Sequence, residues 1–320
     1  MLGLLYYECK QEGNLLGGNK MTEIKKQTFG VEIETVGKNR RDTAQIVADL
    51  FNTTKSYEGG CYDMYIVRDS QGRKWSFMRD GSLSSSASCE VVTPVLNYDD
   101  IEMLQEVVRT LRANGCKADY SCGIHVHVGT DEVEDFGRYV KNLTNIVETH
   151  YDILIRALAV LPSRADRWAR KNSDFQNAVN RKSLKDEKAV MKAWYGTDSE
   201  SSCEYHRNTH YDSSRYHLLN MHSYFQGKGV EFRAFNGTMH AGEIRAYICL
   251  CLAMNTYAIN AKFTGKKDVD TYNDVFSFRG WLKQLHLVGD EFKNVRFHLL
   301  KKLEGNTSSK NGSFTSRRAV

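Results

Sequence analysis

The stretch that decides the fold is Gln27-Thr28-Phe29-Gly30-Val31-Glu32-Ile33-Glu34-Thr35-Val36. Apolar Val31 and Ile33 alternate with acidic Glu32 and Glu34, and successive side chains of a β-strand point to opposite faces of a sheet. We therefore predict a strand with one face that packs into a core and one face that carries carboxylates.

The same alternation recurs along the chain, and stretches with helical periodicity separate the strand-like ones. Strands are predicted at about 64–68, 74–78, 88–96, 121–129, 218–224 and 229–235. Helices are predicted at about 42–52, 99–111, 131–161 and 241–263. This order favours an α+β fold in which a mainly antiparallel sheet has helices packed on one face. The other face would then be open to a ligand.

Composition divides the chain into a core region and its flanks. Residues 21–303 are predicted to form a single domain, in which the polar segment at about 163–211 is an insertion or a mobile lid. Residues 304–320 are rich in Ser, Gly and Arg and are predicted to be disordered. We hypothesise that residues 1–20 are a non-native or disordered leader, because Gly17-Gly18 just before Met21 is what a bacterial ribosome-binding site would encode. An intact mass that includes these residues would contradict this.

Composition also excludes several classes of protein. No apolar run in the 320 residues approaches the ~18 that a membrane span needs, so a membrane protein is not expected. The net charge of +5 is small and spread along the chain, which does not favour nucleic acid as a partner. Eight cysteines without a CxxC pair are typical of free thiols, and no secretory signal opens the chain. We therefore predict a cytoplasmic protein.

Four short segments place side chains that can bind metal where a strand does not require them. In three of these segments the two residues are at positions i and i+2, which puts both side chains on one face about 6.6–6.8 Å apart along the backbone. A solvated sheet face explains any single pair equally well, but four segments in one chain favour a shared site. The segments are Glu32-Ile33-Glu34, Asp80 with Glu90, His125-Val126-His127 and Glu231-Phe232-Arg233.

The chemistry of these residues favours a particular ligand. Carboxylates with one or two imidazoles suit Mg²⁺ or Mn²⁺ better than Zn²⁺. Mg²⁺ commonly binds substrate phosphates, so acids and arginines on one face favour a nucleoside triphosphate. The chain has no P-loop and no GxGxxG motif, so a nucleotide would be held through metal and arginine. The glycines next to the segments, which suit a close backbone approach to a ligand, are Gly30, Gly123, Gly129 and Gly229.

Five motifs follow one another between Phe29 and about Thr238, over roughly two-thirds of the chain. They are Phe29-Gly30-Val31-Glu32-Ile33-Glu34, Arg79-Asp80-Gly81-Ser82-Leu83, Glu90-Val91-Val92-Thr93-Pro94, Cys122-Gly123-Ile124-His125-Val126-His127-Val128-Gly129, and Arg215-Tyr216-His217-Leu218-Leu219-Asn220 through Val230-Glu231-Phe232-Arg233. As an ordered set they resemble the amidoligase family. That family belongs with glutamine synthetase and glutamate–cysteine ligase in the carboxylate-amine ligase superfamily.

The resemblance implies a glutamine-synthetase-like catalytic domain on a curved antiparallel sheet. It implies a ligase that uses ATP and Mg²⁺, or Mn²⁺, to join a carboxylate to an amine through an acyl-phosphate. By motif, the metal ligands would be Glu32, Glu34, Glu90, His125 and Glu231. The groups that contact nucleotide, phosphate or substrate carboxylate would be His127, Arg233, Arg215 and Asn220, with Arg233 facing the transferring phosphoryl group. Asp80 would ligate metal, accept a proton from the amine, or cap the Gly81-Ser82 turn.

Other interpretations of the same residues stay open. Acidic clusters with an H-x-H pair also activate water in metal-dependent hydrolases and nucleases. A catalytically silent family member would only bind a nucleotide or a partner. The sequence leaves open whether the amine acceptor is a small molecule, a peptide or a protein side chain, and it leaves open the oligomeric state. Cys122 is interpreted as a packed thiol, and the four histidines at 206, 210, 217 and 222 as scattered side chains rather than a metal site.

Overall fold

A nine-stranded sheet dominates the computed structural model, which describes residues 23–268 and 273–305. The strands are β1 (Thr28–Val36), β2 (Lys55–Gly59), β3 (Met64–Arg68), β4 (Lys74–Met78), β5 (Ser88–Val92), β6 (Leu96–Asn97), β7 (Gly123–Val128), β8 (Leu219–Asn220) and β9 (Val230–Asn236). The helices are α1 (Arg40–Leu50), α2 (Ile101–Ala113), α3 (Phe136–Thr149), α4 (Tyr151–Ala157), α5 (Pro162–Arg167), α6 (Ser173–Arg181), α7 (Glu187–Tyr195), α8 (Glu200–Asn208), α9 (His222–Phe225), α10 (Ala241–Asn260), α11 (Asp274–Gln284) and α12 (Lys293–Leu300). Short 3-10 helices cover Ile24–Lys26, Tyr98–Asp100 and Ser213–Arg215.

The sheet is antiparallel throughout its described pairings. Its strands lie in the order β2-β3-β4-β5-β1-β7-β9-β8, and β6 pairs with the start of β1. The strand predicted from the alternation at Val31 to Glu34 is thus β1, a central strand flanked by β5 and β7. The predicted α+β class with a mainly antiparallel sheet is confirmed.

The apolar face of β1 forms the core. Phe29, Val31 and Ile33 are all buried there, and α1 packs on β3 and β4 while α10 packs on β7. Complete burial of one such side chain stabilises the fold by about 1.5–3 kcal/mol. On the acidic face, the short helices α5 and α9 contact β9 at one end of the sheet.

Three predicted elements differ from the structure by more than a few terminal residues. The strand predicted at 88–96 is divided into β5 and β6, and residues 93–95 belong to neither. The helix predicted at 131–161 begins only at Phe136, because the Asp135 side chain accepts a hydrogen bond from the Arg138 N–H and caps it there. It breaks at His150, whose Nδ1 lies 2.8 Å from the Ile146 carbonyl oxygen. The strand predicted at 218–224 is wrong beyond Asn220. There the Asn220 side chain accepts from the His222 N–H, which turns the chain into α9.

The polar segment at 163–211 is mainly helical and contains most of α5 and all of α6, α7 and α8. Its interpretation as a lid stays a prediction, as does the single-domain assignment of residues 21–303. Residues 1–20 lie outside the described residues, as do 306–320 of the predicted disordered tail. Among the described residues, no helix has both the length and the apolarity that a membrane crossing requires. The seven described cysteines are free thiols.

One buried carboxylate in α3 predicts a pH-dependent stability. Glu148 accepts a 2.7 Å hydrogen bond from the Asn172 N–H, and burial raises its pKa from 4.5 to about 7. Because the folded-state pKa is raised, the folded protein loses stability as the pH rises from about 4.5 through 7. We expect Glu148→Gln, which keeps an acceptor for Asn172, to increase the free energy of unfolding at pH 8 by up to about 3 kcal/mol, and to change it little at pH 4.

Urea unfolding at the two pH values measures this difference. Glu132→Gln is the matched control, since Glu132 is exposed and the same change should have little effect at either pH. A Glu148→Gln protein that gains no stability at pH 8 would contradict the prediction.

Candidate active site

Antiparallel register places the predicted ligands opposite one another on four neighbouring strands, β5, β1, β7 and β9. Cross-strand neighbours on one face have Cβ atoms about 4.5–5.5 Å apart. The opposed pairs are Glu34 with Glu90, Glu32 with His125, and His127 with Glu231. The structure therefore brings the five predicted metal ligands and the second histidine of the H-x-H pair into one cluster.

Glu32 lies at the centre of this cluster. Its Oε2 is 2.9 Å from Nδ1 of His125, and its Oε1 is 3.2 Å from Nε2 of His127. Burial by itself would raise the pKa of Glu32, but the charge and hydrogen bonds of His127, together with those of His125, hold it well below the usual range. Glu32 is therefore a carboxylate at neutral pH, and it is the side chain that links the two histidines.

Both carboxylate oxygens of Glu231 accept hydrogen bonds from side chains on β8 and β9. The Asn220 Nδ2 donates to Oε2 over 2.6 Å, and Nη1 of Arg233 donates to Oε1. Burial opposes ionisation, but Arg233 and the two nearby histidines prevail and lower the pKa of Glu231 to about 2. Asn220, predicted to contact phosphate or substrate carboxylate, is thus placed here to orient Glu231.

Glu34 is held by a residue outside the predicted set, Arg164. Its Oε2 accepts a hydrogen bond from the Gly123 N–H and lies 3.7 Å from Nη2 of Arg164 on α5. Arg164 is remote from the five motifs in sequence and sits in the polar segment at 163–211, so no spacing pattern indicated it. The guanidinium packs directly over Gly123, where a Cβ atom would overlap it.

Three of the four glycines that were expected to leave room for a ligand instead leave room for other atoms of the protein. A Cβ at Gly123 would overlap Arg164, one at Gly129 would overlap the Thr28 side chain, and one at Gly229 would overlap the Val128 carbonyl oxygen. Gly229 also has φ +76°, which disfavours any larger residue. Gly30 alone of the four has ordinary contacts, and it lines a cavity together with Gly129 and Gly229.

Asp80 and Glu90 complete the acidic end of the cluster. Asp80 Oδ1 accepts a 2.6 Å hydrogen bond from the Ser82 N–H, so the residue caps the Gly81-Ser82 turn as one of the alternatives proposed. Burial, reinforced by the charges of Glu32 and Glu34, raises the pKa of Glu90 well above its ordinary value. Glu90 thus holds a proton more readily than an isolated carboxyl group, because burial and the neighbouring acids disfavour its charged form.

The cluster fits divalent cations. Within the described part of the chain, three groups each have ligand atoms within 4.8 Å of one another. They are Glu32, Glu90 and His125; Glu32, His127 and Glu231; and Glu34, Asp80 and Glu90. Carboxylate oxygens dominate each group, which suits Mg²⁺ or Mn²⁺ and not a thiolate-seeking metal. The groups share Glu32 and Glu90, so they form one continuous site.

A cavity of about 780 Å³ opens onto the cluster. The predicted site residues that line it are Glu32, Glu90, Asp80, His127 and Arg215. The predicted residues that are instead buried beneath or beside it are Glu34, His125, Glu231, Arg233 and Asn220, all of them 1–5 % exposed. The expectation of a solvated face is therefore correct for the first set and wrong for the second, because α5 and α9 cover that end of the sheet.

The rim of the cavity is basic and aromatic. Arg79, Arg215 and Lys228 line it, and these cations suit an anionic ligand. Also in the cavity lining, the Tyr62 hydroxyl lies 3.3 Å from Nε2 of His210 and 3.4 Å from the Tyr211 hydroxyl. These two loops come from distant parts of the chain, so sequence spacing did not associate them.

The structure also locates Cys122 and the histidines between positions 206 and 222. Cys122 is buried, and burial raises the pKa of its thiol to about 12, which agrees with a packed side chain and not a nucleophile. His206 pairs with Asp212 at 2.7 Å, and Nδ1 of His222 lies 2.7 Å from the Tyr195 hydroxyl. Among the described residues, no group of three metal-type ligands includes any histidine from the 206–222 region.

Fold and site together define a class: an α+β protein that gathers carboxylates and imidazoles on one sheet face, beside a cavity with a basic rim. A family model described as "Putative amidoligase enzyme" matches residues 25–255, which contain every residue of the cluster. The chain therefore belongs to the amidoligase family, and this membership supports a ligase-type function in which an amide bond is formed. No curated protein matches the chain.

Proposed function

We propose that the protein is an ATP-dependent carboxylate–amine ligase that forms an amide or isopeptide bond through an acyl-phosphate. The observation that supports this most is the set of three overlapping ligand groups beside a cavity with a cationic rim. Family membership supports the amide-forming part of the proposal. A common superfamily with glutamine synthetase and glutamate–cysteine ligase, and a glutamine-synthetase-like catalytic domain, belong to the same proposal.

The cations of the proposal are Mg²⁺ or Mn²⁺, held by the three ligand groups. When bound, they would neutralise the triphosphate and orient its terminal phosphoryl group. Arg215 and Lys228 line the cavity and are placed to contact anionic oxygens. The resemblance also implies that Arg233 faces the transferring phosphoryl group, but in the structure Arg233 is buried outside the cavity lining and pairs with Glu231, which keeps that acid ionised.

The reaction proposed needs two transfers. In the first, a substrate carboxylate oxygen attacks the terminal phosphorus and ADP leaves; in the second, the amine nitrogen attacks the acyl carbon and phosphate leaves. The amine must be neutral to attack, so a base must take its proton. Asp80 is the candidate when it does not bind a cation, because it lines the cavity and uses only one oxygen, Oδ1, for the turn.

Water must be kept away from an acyl-phosphate, which would otherwise hydrolyse. We propose that the polar segment at 163–211 closes over the cavity and excludes water. It ends at Tyr211, which lines the cavity and whose hydroxyl lies 3.4 Å from the Tyr62 hydroxyl. Substrate entry would require the Tyr62 and Tyr211 side chains to move apart.

An ADP-release screen tests the proposal. We expect ADP only when Mg²⁺, ATP, a carboxylate and an amine are all present, with mass spectrometry showing a conjugate lighter by one water than its two components. The screen covers amino acids, polyamines and short peptides, since the acceptor is a small molecule, a peptide or a protein side chain. Reactions with EDTA, and reactions without amine, are the controls.

The outcomes separate the competing functions. Turnover of substrates without any nucleotide would indicate a metal-dependent hydrolase or nuclease and would overturn the proposal. Nucleotide binding without ADP in any mixture would indicate a catalytically silent member.

A further inference from the structure

Arg164 is a buried arginine on the acidic face with few partners. The residue is 5 % exposed, its Nη1 donates to the Arg233 carbonyl oxygen over 3.4 Å, and its Nη2 lies 3.7 Å from Oε2 of Glu34. Its Nε has no hydrogen-bond partner among the described residues. Burying a guanidinium with so little compensation costs free energy. Stability of the fold is therefore a poor explanation for its position.

The contact fixes one oxygen of Glu34 and leaves the other available. Oε2 accepts from the Gly123 N–H and faces Arg164. Oε1 is 4.0 Å from Nε2 of His125 and accepts no hydrogen bond from any described residue. A carboxylate that is held through one oxygen presents the other in a fixed direction, as partners behind metal ligands commonly ensure.

We infer that Arg164 is a positioning residue, which holds the Glu34 carboxylate from behind so that Glu34 completes the ligand group it forms with Asp80 and Glu90. This inference rests on the proposed metal-dependent function. It also assigns a role to Gly123, whose missing side chain is the space that the guanidinium occupies.

The chain offers two independent ways to disturb this contact. Arg164→Ala removes the guanidinium, and Gly123→Ala displaces it without changing any polar side chain of the site. Arg167→Ala is the matched control, because Arg167 lies on the same helix, is exposed and packs on Trp168 at 4.5 Å instead of entering the site. Arg164→Lys keeps the positive charge but lacks the planar, forked set of N–H donors. It therefore tests whether the charge alone restores part of the metal binding.

The experiment measures Mn²⁺ binding by calorimetry and records the electron paramagnetic resonance spectrum of bound Mn²⁺. Wild type and Arg167→Ala should bind alike. Arg164→Ala and Gly123→Ala should bind about 10–100-fold more weakly, with an altered spectrum, and Arg164→Lys should lie between. Far-ultraviolet circular dichroism and thermal unfolding identify any variant that fails to fold.

Three outcomes would count against the inference or its foundation. If Arg164→Ala binds Mn²⁺ more tightly, Arg164 is a competing counter-charge and the inference is overturned. If thermal stability falls but affinity and spectrum are unchanged, the role is purely structural and the inference is again overturned. If wild type binds no Mn²⁺ at all, the proposed metal-dependent function fails first.

The contact itself can be measured without metal. Arg164→Ala, Glu34→Gln and the double variant form a thermodynamic cycle in metal-free protein. We expect non-additive effects on the unfolding equilibrium constant, with a coupling of at least about threefold, because the residues share one ion pair. Strictly additive effects would overturn the inference even if metal binding is normal.

Discussion

Glu32→Gln is expected to abolish Mg²⁺-dependent nucleotide binding and ADP formation while the protein stays folded. Glu32 belongs to two of the three ligand groups and contacts both histidines of the H-x-H pair. Loss of a residue behind a metal ligand already weakens binding about 10–100-fold, so loss of a shared ligand should exceed 100-fold. Calorimetric titration with Mn²⁺ and with Mg²⁺–ATP measures the change.

Glu58→Gln is the control for this variant. Glu58 lies on β2 of the same sheet and pairs with Lys74 at 3.5 Å, far along the strand order from the cluster. Exposed pairs of this kind contribute little, so neither affinity nor stability should change. Unchanged affinity in Glu32→Gln would mean that the cluster is not the metal site.

Arg233→Ala should be the most destabilising single change in the cluster. The residue is 5 % exposed, and its Nη1 donates to Glu231, a carboxylate that is itself buried. Removing one member of a buried ion pair leaves an uncompensated charge and typically costs about 3–5 kcal/mol. Urea unfolding should show this loss at neutral pH, where Glu231 is ionised in the native protein.

The double variant Arg233→Ala/Glu231→Gln separates charge from packing. Removing both charges of a buried pair is far less costly than removing one, so the double variant should regain much of the lost stability. A double variant as unstable as the sum of the two single changes would show that burial of the Glu231 charge is not the cause. ADP production is expected to be lost in Arg233→Ala and in the double variant.

Much of the cluster could be predicted because it lies on strands. Period-two alternation fixes which side chains share a face, so Glu32 with Glu34, and His125 with His127, could be paired from the sequence alone. The order β5-β1-β7-β9 and the register between these strands could not be predicted, because none of these pairings joins strands that are consecutive in the chain. Burial of Ile33 and Val126 indicates only which face of each strand packs into the core.

What could not be predicted comes from helices and loops. Arg164 reaches the cluster only because α5 packs against β9, and a tertiary contact of that kind has no local signal. The strand predicted at 218–224 failed for a similar reason, since the Asn220 side chain bonds to the His222 backbone and competes with the sheet. The hydroxyls of Tyr62 and Tyr211 lie close together because of loops whose paths depend on the whole fold.

Shared carboxylates make the occupancy of one position depend on its neighbours. Glu32 joins the two histidine-containing groups, and Glu90 joins the first of these to the group that contains Asp80. If cations bind as proposed, Glu32 and Glu90 would each serve two ligand groups, so the groups could not be loaded independently. Titration with Mn²⁺ should then depart from the curve expected for identical, independent positions.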